Sequence, residues 1–297
     1  MRKTGFIAIV GRPNVGKSTL LNAMLGEKIS IVSKKPQTTR NRITGVLTRG
    51  DAQFVFLDTP GMHKPKNMLG NYMVKAVRST IADVDAAILV ADVGYLPGDI
   101  EKSLISTLQK ASLPIILALN KTDLADAVKV AETIMAYAEL ADFASVVPIS
   151  AMKEKGVETV IDECEKLLHE GDFIFEDDAL TDQPEKQIAA EIIREKILRL
   201  CDDEIPHGCA VVIEEFKEGR DLIRIRAEIF CERDSHKGIL IGKAGETLKK
   251  IGSYAREDME GFFGVKVYLN LWVKVKENWR DTPGLINQFG YKKDDVN

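Results

Sequence analysis

An α/β domain on a mostly parallel sheet, followed by a smaller α+β domain, is the architecture this sequence predicts. Three observations carry it. From residue 5 to about 170, short β-branched runs alternate with longer stretches of helical period, the pattern of parallel strands joined through helices. Glu176 to Glu185 then holds five acids and no base, which reads as a solvated connection. Beyond it, a helical stretch and two strands precede a glycine-punctuated turn, a further helix and a final strand. At 297 residues the chain is about twice a typical domain, which suits two cores.

In chain order, the first domain's strands are expected at 6–10, 53–58, 86–92, 114–120 and 145–149. The runs 87–91 and 115–119 are apolar on successive residues, as strands covered on both faces must be. The expected boundaries are 1–173 for the first domain, 174–185 for the acidic linker, 186–280 for the second domain and 281–297 for a tail. Pro184 is placed to open a helix, and 187–200 has helical period. Strands at 208–216 and 221–231 flank a turn at Glu218-Gly219, and a helix follows at 246–260. The last strand alternates Val265, Val267, Leu269, Leu271, Val273 and Val275 with Lys266, Tyr268, Asn270, Trp272, Lys274 and Lys276, so one face is core. On the other face lysines and aromatics interleave as on a nucleic-acid platform, although locally a plain solvated face is the better reading.

Composition bounds the function. Apolar residues at 45% and charged residues at 29% exclude a disordered or fibrous chain. A net charge of -4 gives no global attraction to nucleic acid or anionic lipid, while leaving room for a local basic face. Cys164, Cys201, Cys209 and Cys231 form no Cys-x-x-Cys pair and no cluster with His, which suits reduced thiols in a cytoplasmic setting. Gly11 stops the apolar stretch Phe6 to Val10 before it could serve as a signal peptide, and no run reaches the ~18 apolar residues of a spanning helix, so any membrane contact is expected to be peripheral.

Gly11-Arg12-Pro13-Asn14-Val15-Gly16-Lys17-Ser18 fits G-x-x-x-x-G-K-[ST] and lies between a strand and the helical stretch Thr19 to Leu25. The glycines let backbone N–H groups approach phosphates, the helix points its positive end at them, and Lys17 brings a point charge to the β and γ oxygens. Ser18 offers a hydroxyl to Mg2+, and Thr19 closes the expected phosphate-contacting stretch. Asp58-Thr59-Pro60-Gly61 ends the apolar run 54–57, where a carboxylate can hold a Mg2+-bound water and the Gly61 N–H can meet a γ-phosphate. Met62 follows within the nucleotide-contacting set, but its apolar side chain cannot orient water. In the polar loop Lys35 to Asn41, Thr38 or Thr39 would complete Mg2+ coordination in the triphosphate state, with Thr39 favoured.

Asn120-Lys121-Thr122-Asp123 follows the buried strand 115–119. Asp123 can accept from the ring N1–H and exocyclic amine of guanine, a pairing adenine lacks, which selects GTP over ATP. Lys121 would stack its stem on the base and Asn120 would brace the loops. Ser150-Ala151 would present a backbone N–H to the guanine O6. The catalytic set expected is Lys17, Thr39 and Gly61, with Asn14 as a further candidate.

The order of these motifs resembles the translation-factor class of P-loop GTPases over residues 5 to about 170. In GTPases with Asn in the Pro-Asn-x-Gly-Lys stretch, that residue can recruit K+, so the resemblance implies K+ at Asn14, with Arg12 and Arg40 as alternative cations in cis. Gly242-Lys243-Ala244-Gly245 resembles the glycine loop of KH domains, and the element order is that of type II. Ile241, Gly242, Lys243, Ala244, Gly245 and Lys249 are the expected RNA contacts. Residues 236–276 hold eight Lys or Arg against four acids, a local surplus that suits phosphates.

Taken together, these features resemble the Era family of bacterial ribosome-associated GTPases over nearly the whole chain. That resemblance implies slow, Mg2+-dependent hydrolysis of GTP to GDP by a monomer in the cytoplasm. It also implies binding of single-stranded RNA at the 3′ end of 16S rRNA during assembly and maturation of the 30S subunit, with peripheral contact at the inner face of the membrane. Two other readings stay open on the residues alone: a GTPase associated with RNA modification, and a membrane-surface switch with a non-RNA docking domain. The helix from Glu246 mixes Lys249, Lys250 and Arg256 with Glu257, Asp258 and Glu260, which disfavours an anionic-lipid surface.

Overall fold

The structure, a computed structural model, describes residues 1–33 and 35–291. It divides into two compact units, one of Met1–Lys66 with Gly70–Asp182, the other running on from Gln183 and including Asn67–Leu69.

The first unit runs β1 (Lys3–Val10), α1 (Lys17–Leu25), β2 (Ile43–Arg49), β3 (Ala52–Asp58), α2 (Met68–Ala82), β4 (Ala86–Asp92), α3 (Asp99–Lys110), β5 (Ile115–Asn120), α4 (Ala127–Ala138), β6 (Ser145–Pro148), α5 (Val157–Glu165) and the short β7 (His169–Glu170). Its sheet has the order β2-β3-β1-β4-β5-β6, with β7 beside β1. Neighbouring strands from β3 to β6 pair in parallel. Along β1, Ile7 and Ile9 enter one core while Ala8 and Val10 enter another. Each buried aliphatic side chain of this kind stabilises by about 1.5–3 kcal/mol, so strands covered on both faces are apolar throughout; β3 and β5 are buried at every residue.

The antiparallel β2 is the main element the sequence reading lacks. Its residues Ile43-Thr44-Gly45-Val46-Leu47-Thr48-Arg49 mix polar and apolar types because only β3 pairs with it within the sheet, and the result is no apolar run. Beside it lies the acidic stretch expected as a linker. Gln53, fully buried, accepts from the N–H groups of Ile174 (2.8 Å) and Phe175 (3.0 Å) and donates to the Phe175 carbonyl (3.0 Å). The Val46 N–H then donates to the Leu180 carbonyl at 2.9 Å, and Thr181 Oγ1 donates to the Thr44 carbonyl at 2.6 Å. Residues 174–181 are therefore a strap along β2 and β3, with Glu176, Asp177 and Asp178 exposed to solvent.

The second unit runs α6 (Glu185–Leu200), β8 (Ala210–Lys217), β9 (Leu222–Cys231), α7 (Asp234–Ile241), α8 (Glu246–Phe263), β10 (Lys266–Val275) and α9 (Pro283–Gln288). The sheet order is β10-β9-β8, with β10 parallel and β8 antiparallel to β9. Ile188, Ile192 and Ile193 of α6, Leu240 of α7 and Ile251, Ala255 and Met259 of α8 join Ile223, Ile225 and Val267 of the sheet in one core. Buried Lys196 pairs with Glu195 at 2.9 Å and with Asp258, fastening α6 to α8. After β10, the fully buried Trp279 donates to the Gly208 carbonyl at 2.8 Å and meets Phe289 and Tyr291. The expected tail 281–297 is thus packed through Tyr291; residues 292–297 lie outside the described residues. All four cysteines are buried and none is in a disulfide among the described residues. No helix among the described residues is long and apolar enough to cross a membrane.

Candidate functional site

Parallel pairing brings the carboxyl ends of β1, β3, β4 and β5 to one edge of the sheet, the crevice where open α/β sheets bind ligands. The loop after β1 wraps the start of α1. Gly11 has φ 153° and sits where a Cβ would be 2.4 Å from the Val90 carbonyl oxygen. Gly16 has φ 102°, and a Cβ there would be 2.2 Å from Asn120 Nδ2, so only glycine fits both positions. Pro13, Asn14, Gly16, Lys17, Ser18 and Thr19 line a cleft closed by residues 31–33, 37–39 and Gly61. Lys17 is buried, and its Nζ donates to the carbonyls of Arg12 (2.9 Å) and Gly11 (3.2 Å). Burial pushes its ammonium down to about 8, against the opposing pull of Asp58.

Three oxygens converge beside Lys17. Ser18 Oγ donates to Asp58 Oδ2 at 2.6 Å and lies 2.9 Å from Thr39 Oγ1. Burial raises the Asp58 pKa, opposed by Lys17 and by hydrogen bonds from Ser18 and Ser30. Asp58 Oδ1 is buried and accepts no hydrogen bond among the described residues, which suits a cation or its water. The donor set, two hydroxyls and a carboxylate, is the hard-oxygen chemistry of Mg2+. Thr38 instead donates to the Lys35 carbonyl at 2.7 Å, so Thr39 is the threonine that meets Ser18 and Asp58.

After Asp58, Thr59 Oγ1 donates to the Ile9 carbonyl at 2.8 Å, Pro60 is buried, and Gly61 lies so near Pro13 that a Cβ would be 2.7 Å from its Cα. Two residues of the expected nucleotide-contacting set, Val15 and Met62, turn their side chains into the cores. Apolar side chains gain more from burial than from a polar cleft, so these residues can serve through backbone alone; the Met62 N–H donates to the Gly11 carbonyl at 3.0 Å. The candidate cationic residues in cis are also engaged. Arg12 Nε pairs with Glu101 of α3 at 2.9 Å, and Arg40 is buried at 1% exposure.

Asn120 holds the base loop together. Its Nδ2 donates to the Val15 carbonyl (2.8 Å) and its Oδ1 accepts from the Ala151 N–H (2.9 Å). The Ser150 N–H donates to the Lys155 carbonyl at 2.9 Å, so whichever N–H of Ser150-Ala151 faces a guanine O6 would have to be shared with the base. Lys121 has a left-handed backbone, φ 66°, and its ammonium meets Asp92 at 2.5 Å. Thr122 Oγ1 donates to the Ile149 carbonyl at 2.9 Å, and Ser150 Oγ to Asp123 Oδ1 at 2.6 Å. The Ser150 bond is the main cause holding the Asp123 carboxyl below its usual value.

The sequence reading missed Asp92 and Ser30. Asp92 had a signal, an acid at a strand tip like Asp58. Ser30 had none: it reaches Asp58 Oδ2 at 3.1 Å because Asn22 binds its backbone at both N–H and carbonyl.

In the second unit, the predicted loop is a sharp corner between α7 and α8. Gly242 (φ 75°), Ala244 (φ 51°) and Gly245 (φ 79°) all have left-handed φ. A Cβ on Gly242 would sit 2.3 Å from Thr247 Oγ1, whereas Gly245 faces open space. Lys243, Ala244 and Lys249 are exposed and Ile241 is half-buried. Lys243 and Lys249 meet no carboxylate among the described residues. Ile239, 51% exposed, adds an apolar side chain just ahead of the loop.

Comparison with known proteins agrees with both halves. Residues 6–121 match a family model described as 50S ribosome-binding GTPase, and residues 204–280 match one described as KH domain. The GTPase Era of Clostridium kluyveri is 51% identical over 293 residues, covering 98% of this chain and 100% of the relative. The GTPase Era of Ruminiclostridium cellulolyticum is 49% identical over 291 residues, covering 98% of each. Among solved structures, an Aquifex aeolicus Era variant bound to GDP·AlF4− superposes with TM-score 0.94 at 39% identity, over 97% of this chain and 99% of the other. Era in complex with MgGDPNP and nucleotides 1506–1542 of 16S ribosomal RNA also gives TM-score 0.94 at 39% identity, over 98% and 99%. Likeness at this level from end to end, on top of the nucleotide crevice and the glycine corner, means that the chain belongs to the Era family of GTPases.

Proposed function

We propose that this GTPase is a switch acting on the 3′ end of 16S rRNA during assembly and maturation of the 30S subunit. What carries the reading is one chain holding both a guanine-type site and a glycine corner whose lysines, Lys243 and Lys249, lack carboxylate partners among the described residues. The relative bound to MgGDPNP and a 16S segment supports it. Residues 1–173 carry the nucleotide chemistry and 186–280 the RNA contacts, with the strap between them.

In this reading, backbone N–H groups from Gly11 to Thr19 hold the phosphates, and Lys17 leaves the loop carbonyls to lie against the β and γ oxygens. Ser18 and Thr39 supply oxygens for Mg2+ and Asp58 holds one of its waters; the ion neutralises charge on the β and γ oxygens. The Gly61 N–H meets the γ-phosphate, Asp123 accepts from guanine N1–H and amine, and Lys121 flanks the base. Asn14, which lines the cleft, is the proposed K+ ligand, placing positive charge where Arg12 and Arg40 do not deliver it. The protein works as a cytoplasmic monomer; peripheral contact with the inner membrane rests on the family resemblance alone.

Crosslinking and sequencing of RNA bound in cells tests the reading. Enrichment of the 16S 3′ end is expected, lost in Gly245→Asp; enrichment of transfer RNA, or of no RNA, would reject it. Hydrolysis faster in K+ than in Na+, with the difference lost in Asn14→Ala, is the expected mark of the cation.

A further inference from the structure

The outer face of the second sheet carries groups that neither the nucleotide crevice nor the glycine corner uses. Parallel pairing sets Tyr268 opposite Arg224, Asn270 opposite Arg226 and Trp272 opposite Glu228. The alternate residues Val267, Ile223, Ile225 and Ala227 enter the core beneath, so these side chains stand together on the solvent side. Tyr268 is 54% and Trp272 58% exposed. Four residues apart on one strand, the two rings are spaced roughly 13 Å along it. The Arg224 guanidinium lies 5.7 Å from the Tyr268 ring centroid, within cation–π range.

The charge of this face is unevenly spent. Two carboxylates of this face each have a lysine, Glu228 with Lys274 at 2.5 Å and Glu215 with Lys217 at 2.8 Å. Lys266 meets Glu260 at 3.5 Å. Arg224 and Arg226, both exposed, help hold the Glu215 carboxyl below its usual value, Arg226 from directly across the strands, but neither forms an ion pair among the described residues. Flat rings beside two exposed guanidinium groups, set against one carboxylate that Lys217 already pairs, fit bases and phosphates. A protein partner would favour a contiguous apolar centre, whereas here the polar Asn270 separates the rings.

We propose that this sheet face is a second platform for single-stranded RNA, with bases stacking on Tyr268 and Trp272 and phosphates held by Arg224 and Arg226. The proposal rests on the reading of the glycine corner as an RNA clamp. A KH groove seats about four nucleotides, so a longer strand has further bases to place, and β10, against which both α7 and α8 pack, also carries the platform's two rings.

The chain's own fluorescence reads the contact. Of its two tryptophans, Trp279 is fully buried and hydrogen-bonded, so Trp272 is the one that RNA can quench. The full chain with a non-hydrolysable GTP analogue is titrated with RNA of 16S nucleotides 1506–1542. Quenching is expected, and Tyr268→Ala with Trp272→Ala should weaken binding at least about 25-fold, roughly fivefold per ring, with GTP hydrolysis unchanged. Trp272→Phe should keep most of the affinity and lose the quenching, which separates stacking from misfolding. Arg224→Ser with Arg226→Ser should reduce the salt dependence of binding by about 1.4 in log–log slope, or about 0.7 per phosphate contact. If the double-alanine variant, folded by circular dichroism, binds like wild type while Gly245→Asp does not, the platform is rejected, the clamp stands, and the face is left for a protein. If wild type and Gly245→Asp bind alike, or neither binds, the clamp reading falls and the platform with it.

Discussion

Raising the pH from 7 to 9 should weaken nucleotide binding through Lys17 by about tenfold. Its ammonium is buried against the loop carbonyls and pushed down to about 8, so about a tenth of the free protein is neutral at pH 7 and about nine-tenths at pH 9. Phosphate oxygens favour the charged form, and binding above pH 8 must therefore take up a proton, adding about one log unit in Kd per pH unit. Fluorescence titration with a labelled GDP at several pH values measures the slope. Guanine's own N1 begins to ionise near the top of this range and weakens every variant alike, so the quantity that counts is the difference from Lys17→Ala. Stability of the nucleotide-free protein moves the other way. A lysine depressed from 10.5 to about 8 leaves the unfolded chain holding more protons between those values. The penalty, on the order of 3 kcal/mol, is therefore full below pH 8 and relieved as pH rises toward 10.5. Equal pH slopes for wild type and Lys17→Ala, in affinity and in melting, would refute a buried, easily neutralised Lys17.

Three further outcomes follow from single contacts. Removing the 2.6 Å bond that orders Asp123, by Ser150→Ala, should weaken GDP binding about tenfold, and Asp123→Asn should shift preference from GTP toward XTP in competition binding; retained guanine preference would remove the base-reading assignment. Gly245→Asp should lose RNA binding at a stability cost of no more than about 2 kcal/mol, while Gly242→Ala, meeting Thr247 at 2.3 Å, should melt lower still; equal melting temperatures would contradict the corner's geometry. Gln53→Leu should cost about 1–3 kcal/mol and speed proteolysis within 174–183, since all three strap bonds at Ile174 and Phe175 come from this one amide; an unchanged cleavage rate would show that the strap is held elsewhere.

What was legible in the sequence was whatever has a local cause. β4 and β5 announce themselves because covering both faces demands consecutive apolar residues, and the phosphate loop because its glycines, lysine and serine stand at a fixed spacing between a strand and a helix. The strap was not legible, since its anchor is Gln53, more than a hundred positions away; from composition its acids only say that one side is wet. Ser30 was hidden for another reason, being placed by a side chain only eight positions away, Asn22, that belongs to no motif. Met62 stood in a nucleotide motif by position, yet the core beneath β1 decided where its side chain went.

Lys121 at φ 66° and Ala244 at φ 51°, one in each unit, hold backbone conformations that glycine would accept more readily. Each costs about 1–2 kcal/mol, a noticeable part of the ~5–15 kcal/mol that keeps a typical protein folded. Selection for thermal survival alone, with neither GTP nor RNA present, would therefore enrich glycine at both positions and carry a population of this gene toward sturdier proteins with a looser base loop and a softer RNA corner. Variants gathered under heat and variants gathered under growth would then diverge at these two residues.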